Sequence, residues 1–178
     1  MRVLGIDPGT LTSGYGIVTE EDHKIFHVAS GGISPSAKQP FPKRLGKIYD
    51  ELEKIIEKYQ PQVVVIEDLF VSQNIKAALK LGHARGVAIL AAVNAGLPVF
   101  EYAPAEVKQA VVGTGKAEKK QVQLMVKALL ELPKAPHPAD AADALAAAIC
   151  HIHSSRMREM LKGSASLRSG GRSAVRTK

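Results

Sequence analysis

Three stretches of the chain place carboxylates where they could act together. Asp7 ends the apolar run RVLGID and is followed by Pro-Gly-Thr. An acid in that position points at the end of a sheet, and the Gly9–Thr10 turn offers backbone N–H groups for a phosphate. Glu67 and Asp68 close the run VVVIED. Successive strand side chains face opposite ways, so only one of the two shares a face with Val65. Both faces read as buried, and periodicity does not choose between them. Asp140 and Asp143 lie in HPADAADALAAA, at a spacing that puts both on one face of a starting helix.

Each stretch alone has a plain structural explanation. Asp7 can cap a turn, Glu67 and Asp68 can be solvated at a strand exit, and acids suit a first helical turn. Their combination is more specific. Carboxylate oxygens are the ligands that Mg²⁺ prefers, with water and phosphate oxygens completing its octahedron. Two such ions about 3.5–4 Å apart can clamp the attacking and leaving oxygens of a phosphodiester. Without a cation, clustered acids repel and their pKa values rise.

The elements that must position these acids follow from the pattern of apolar residues. Residues 2–7, 14–20 and 24–30 read as strands, and the polar EEDH turn predicts an antiparallel hairpin between the last two. Residues 31–42 carry Gly and Pro and read as loop. Leu45, Ile48, Leu52, Ile55, Ile56 and Tyr59 recur at helical steps, predicting a helix over 43–60 that Pro61 stops. VVVIE at 63–67 reads as a central strand buried on both faces. A long helix is predicted over 74–95. Its second half, GVAILAAVNAG, is apolar nearly all round and is expected to be buried on more than one side. A strand at 97–102 and helices near 104–112, 117–131 and 138–161 complete the order. Three strands, helix, strand, helix, strand and further helices describe an α/β domain with a mixed five-stranded sheet flanked by helices.

Composition bounds the class. The 178 residues suit one domain, residues 1–162, with a basic tail over 163–178. The tail, GSASLRSGGRSAVRTK, is poor in apolar residues and is expected to be disordered. It holds Arg168, Arg172, Arg176 and Lys178 and no acid, which is four of the seven net positive charges. A formal charge of +7 and a pI near 9.5 favour a polyanionic partner, nucleic acid before membrane. The N-terminus lacks a signal-peptide pattern, and no stretch approaches the ~20 apolar residues of a membrane span. The single cysteine, Cys150, rules out an intrachain disulfide and fits a reducing, cytoplasmic setting. It reads as a small buried hydrophobe rather than a nucleophile. His151 and His153, two apart on a helix, do not face each other as zinc ligands would.

The segments GIDPGTLTSGYG, IEDLFVSQNIKAALKLGHARGVAILAAV, EYAPAEVKQAVVGTGKAEKKQVQLMV and DAADALAAAICHIH together closely resemble the RuvC family of Holliday junction resolvases, over residues 2–153. The resemblance implies a ribonuclease-H-like fold, a homodimer, and two Mg²⁺ or Mn²⁺ ions per active site. It implies paired symmetric nicks in a four-way DNA junction, leaving 5′-phosphate and 3′-hydroxyl ends, in recombination and repair. It selects Asp7, Glu67, Asp140 and Asp143 as the catalytic, metal-holding acids, with Glu67 rather than Asp68. Phe70 matches the family's aromatic at the opened junction centre, where stacking on a base is worth about 1–3 kcal/mol. Lys108 and Lys119 match basic residues near the scissile phosphate. A RuvA-RuvB-type branch-migration complex is the expected partner, and the Gly86–Val93 helix is the expected dimer interface. His137 lies near Asp140 and is a lesser candidate.

Three rivals make different demands. DPGT–TSG resembles the first phosphate loop of the sugar-kinase and actin-like ATPases, but the second glycine-rich motif and duplicated domain of that superfamily do not appear. A non-catalytic junction-binding protein would keep its behaviour when Asp7 is neutralised. A ribonuclease acting on RNA–DNA hybrids would cut hybrids and spare junctions.

Overall fold

A computed structural model describes residues 1–68 and 74–170, with side chains to residue 161. Five strands form one sheet: β1 (Arg2–Asp7), β2 (Ser13–Glu21), β3 (Lys24–Ile33), β4 (Val63–Glu67) and β5 (Val99–Tyr102). The spatial order is β3-β2-β1-β4-β5. The first three strands are antiparallel neighbours, whereas β1 pairs with β4, and β4 with β5, in parallel. The mixed sheet expected from the order of elements is therefore present. The helices are α1 (Phe41–Tyr59), α2 (Ile75–Asn94), α3 (Pro104–Val112), α4 (Lys119–Leu129) and α5 (Ala139–Gly170). The last runs past residue 162, where the sequence places the start of a tail.

Both faces of the sheet are covered. Leu4, Ile6, Ile17, Val64 and Ile66 pack against Ile48, Leu52, Ile55 and Ile56 of α1 and the alanines of α2. Val3, Val18, Val63 and Val65 pack against α5, with α3 and α4 outside it. The continuous β-branched run of β4 is thus explained by alternate residues entering two cores. α1 ends where Gln60 turns left-handed at φ 47° and Pro61 follows, as the proline predicted.

α5 is the helix buried all round. Between Ala141 and Ile152 every residue except Asp143 is buried, because the sheet lies on one side and α3 and α4 on the other. The second half of α2, expected to be buried on more than one side, packs against α1 and the sheet but keeps an exposed outer side. In the single chain α2 buries Ala84, Ala88, Ala91 and Ala92, while Leu90 and Val93 stay more than half exposed. Among the described residues, α1 and the sheet are what chiefly cover it.

Glycines of β1 and β2 set how closely α5 approaches the sheet, Gly5 and Gly14 most tightly. A Cβ on Gly5 would lie 1.9 Å from the carbonyl oxygen of Ala144, and one on Gly14 would lie 2.0 Å from that of Asp140. Both clashes are with backbone, which cannot swing aside. Any side chain at either position would push the helix, with its acids, away from β1. We expect Gly5→Ala to destabilise the fold by about 3 kcal/mol or more, the upper range for overpacking. Urea unfolding would check this; a cost under about 1 kcal/mol would show that α5 can shift freely.

Candidate active site

The pairing of β1 with β4 brings the two strand-end acids together. Ile6 stands beside Ile66 in the parallel register, so Asp7 and Glu67 follow side by side. Asp7 shares a face with Val3 and Gly5, and Glu67 with Val63 and Val65, which is the α5 face. The first turn of α5 supplies Asp140, and Asp143 follows one turn on. One carboxylate oxygen each from Asp7, Asp140 and Asp143 lie within 4.8 Å of one another. Glu67 joins Asp7 and Asp143 in lining a cavity of about 350 Å³ with Pro104, Val107, Lys108, Lys119, Val122 and Ala146.

Asp68 faces away from this cavity. Arg85 of α2 reaches it at 3.3 Å and holds Glu101 of β5 at 2.7 Å. Strand geometry separates the two acids that periodicity left open: Glu67 lines the cavity beside Asp7, and Asp68 pairs with Arg85 of α2. Arg85 was not anticipated, and the only sequence signal for it is one cation in an otherwise apolar helical stretch.

The electrostatics are those of acids forced together. Burial, then the charges of Glu67, Asp143 and Asp140, push the Asp7 carboxyl up to about 8. Burial and Asp143 push Glu67 up to about 7, against the lowering pull of Lys119 and Lys108. Burial raises Asp143 as well, although Lys119 hydrogen-bonds it. Lys119 opens α4 and pairs directly with Asp143, and its ammonium lies 3.9 Å from Asp140. Half-buried, all-oxygen donors with raised proton affinity suit a hard divalent cation, whose charge would remove that repulsion.

In the Gly9–Thr10 turn, the Gly9 N–H is already engaged within the loop. The Gly9 N–H donates to the Ser13 hydroxyl at 3.1 Å, and that hydroxyl donates back to the Gly9 carbonyl at 2.8 Å. The loop is closed on itself and serves to fix the end of β1. Phe70 lies outside the described residues. His137 is exposed and does not line the cavity. His151 is buried between the Tyr102 and Ser155 hydroxyls, and His153 contacts the Ala110 carbonyl. Each histidine is committed to a separate partner. Burial pushes the Cys150 thiol up to about 11, which keeps it from acting as a nucleophile.

The family described as crossover junction endodeoxyribonuclease RuvC matches residues 3–151. The chain belongs to the RuvC family. A relative named crossover junction endodeoxyribonuclease RuvC, from Geobacter sp. (strain M21), is 55% identical over 163 residues, covering 92% of this chain and 99% of its own. The structure of Thermus thermophilus RuvC in complex with Holliday junction substrate matches with a TM-score of 0.83 at 37% identity, covering 88% of this chain and 96% of that one. The yeast mitochondrial Holliday junction resolvase Ydc2 is 17% identical with a TM-score of 0.60, covering 85% and 77%, and shares the fold. The RuvC match spans β1 through most of the buried part of α5, so it includes every acid of the cluster.

In this RuvC-family chain the raised Asp7 value fixes a sign for metal-free stability. The folded state holds that proton more tightly than the unfolded chain, so the contribution is present below about pH 4 and lost as pH rises through about 8. We expect the metal-free melting temperature to fall across that window, and Asp7→Asn to flatten the fall and melt higher at its alkaline end. Calorimetry in chelator would show this; parallel profiles for the two proteins would mean that Asp7 is not strained.

Proposed function

We propose that the chain is a structure-selective endonuclease that resolves four-way DNA junctions with metal-dependent nicks in opposing strands. The observation that carries this is the convergence of Asp7, Asp140 and Asp143 within 4.8 Å, beside Glu67, in a family of crossover junction endodeoxyribonucleases.

The roles follow from position. Asp7, Asp140 and Asp143, whose oxygens converge, would hold Mg²⁺ (or Mn²⁺), two ions per site, together with Glu67. Bound ions supply Lewis-acid polarisation of the phosphodiester and a water of lowered pKa. The protein's own groups do the rest. Lys108 and Lys119 line the same cavity and would hold the scissile phosphate, with salt-dependent affinity. Pro104, Val107, Val122 and Ala146 form the apolar part of its wall beside these charged groups. The expected products carry 5′-phosphate and 3′-hydroxyl ends. Phe70, three residues beyond Glu67, would stack at the opened junction centre.

A homodimer suits the task, since a two-fold axis presents one patch twice to two equivalent strands. The exposed Leu79, Leu90 and Val93 of α2 support that helix as the shared surface. A RuvA-RuvB-type branch-migration complex is the proposed partner. A cytoplasmic setting is the proposed location; the lone cysteine fits it, and no described helix is long and apolar enough to cross a membrane.

The test is a synthetic four-way junction with mapped cuts on all four strands, with Mg²⁺ and with chelator. Asp7→Asn is expected to lose more than about a hundredfold in cutting, since even groups that merely support a metal ligand cost 10–100-fold. Junction binding should survive. Equal cutting by the variant, or cutting in chelator, would refute the assignment. Phe70→Ala is expected to cut more weakly at unchanged melting temperature; full activity would return that ring to a packing role.

A further inference from the structure

The acid pocket already contains a positive charge. Lys119 pairs with Asp143 and stands 3.9 Å from Asp140, two of the three acids whose oxygens converge. Its position is built in. It is the first residue of α4, whose start is closed by the Glu118 N–H donating to the Gln121 side chain at 2.9 Å. Val122 and Val126 anchor that helix against α5. Lys108 shares the pocket, but no ion pair ties it to the acids.

The geometry points to Lys119 as a resident counter-cation that occupies the acid cluster until a divalent ion displaces it. This rests on the metal-binding reading of the same acids. A lysine is a compact point charge on a flexible stem, and this side chain is 54% exposed, so it can leave without disturbing α4. While it stays, a divalent ion must compete for Asp143 and Asp140, and its apparent affinity falls by the fraction of protein in which the pair is broken. Once displaced, the ammonium faces the cavity that Lys108 also lines, where a phosphodiester would need positive charge. Ion loading and phosphate binding then reinforce each other, and the coupling must be reciprocal. Burial alone would lower the lysine's pKa, but the hydrogen bond it donates to Asp143 and the charges of Asp143, Asp7 and Asp140 outweigh it and raise the value.

The experiment is calorimetric titration of the full chain with Mg²⁺ alone, without DNA. Lys119→Met is expected to bind Mg²⁺ about tenfold more tightly than the unaltered protein, within the usual range for coupled sites. Lys120→Met removes the same charge one residue away and is expected to change affinity by less than about twofold, as an exposed charge does. Equal gains in both variants, or none in Lys119→Met, would overturn the proposal. Absence of Mg²⁺ binding to every protein, variants included, would instead sink the metal-site reading and this inference with it. Should Lys119→Met fail to fold, the Lys119 side-chain NMR signal of the unaltered protein decides. It should move as Mg²⁺ saturates the site, and a signal that stays fixed would overturn the proposal.

Discussion

Like charges do not gather in a half-buried pocket unless something larger holds them there. Here that force is the packing of α5. Its alanine-rich stretch lies against Gly5 and Gly14 at backbone contact, and the apolar residues of α3 and α4 close over its other side. Burying that much apolar surface is the dominant favourable contribution to such a fold. The cost of the acids is set against it and shows in the raised proton affinity of Asp7 and Glu67. The pocket is thus a local instability held by a core.

The same arrangement explains which acids meet. Parallel pairing of β1 with β4 aligns Asp7 and Glu67 in register, and alternation sends Asp68 to the opposite side. There Arg85 joins it to Glu101, so one guanidinium links α2 to the exits of two adjacent strands. The sheet end therefore carries an acid cluster on one face and, on the other, two acids that share one guanidinium. Charge separation of this kind keeps a further carboxylate out of an already crowded pocket.

Much of this was legible in the chain. The described strands and helices were visible from apolar periodicity or, for β4, from a continuous apolar run, and Pro61 marked the end of α1. The helical spacing of Asp140 and Asp143 put them on one face. What could not be read was contact between elements. VVVIED did not separate Glu67 from Asp68, because both sheet faces are covered; family resemblance chose, and register explains the choice. Burial was assigned to α2, where an apolar composition was seen, yet α5 is the enclosed helix, because coverage depends on which elements land on which face. Gly5 and Gly14 passed as ordinary strand residues, and the pairing of Lys119 with Asp143 had no local signature. The glycine turn after Asp7 looked like a phosphate cradle, but Ser13 closes it.

The enclosure of α5 has a consequence for how this molecule can change over generations. Ala141, Ala142, Ala144, Ala146, Ala147 and Ala148 are all wholly buried, leaving no room for a larger side chain on any side of the rod. Since that rod also bears Asp140 and Asp143, volume added far down its length would be felt as a displacement of the acids at its beginning. The layer across the sheet has looser bounds, for α1 keeps its outer surface in solvent. Drift is therefore channelled to one layer of the sandwich, while the opposite layer is held nearly fixed by the room available to a methyl group.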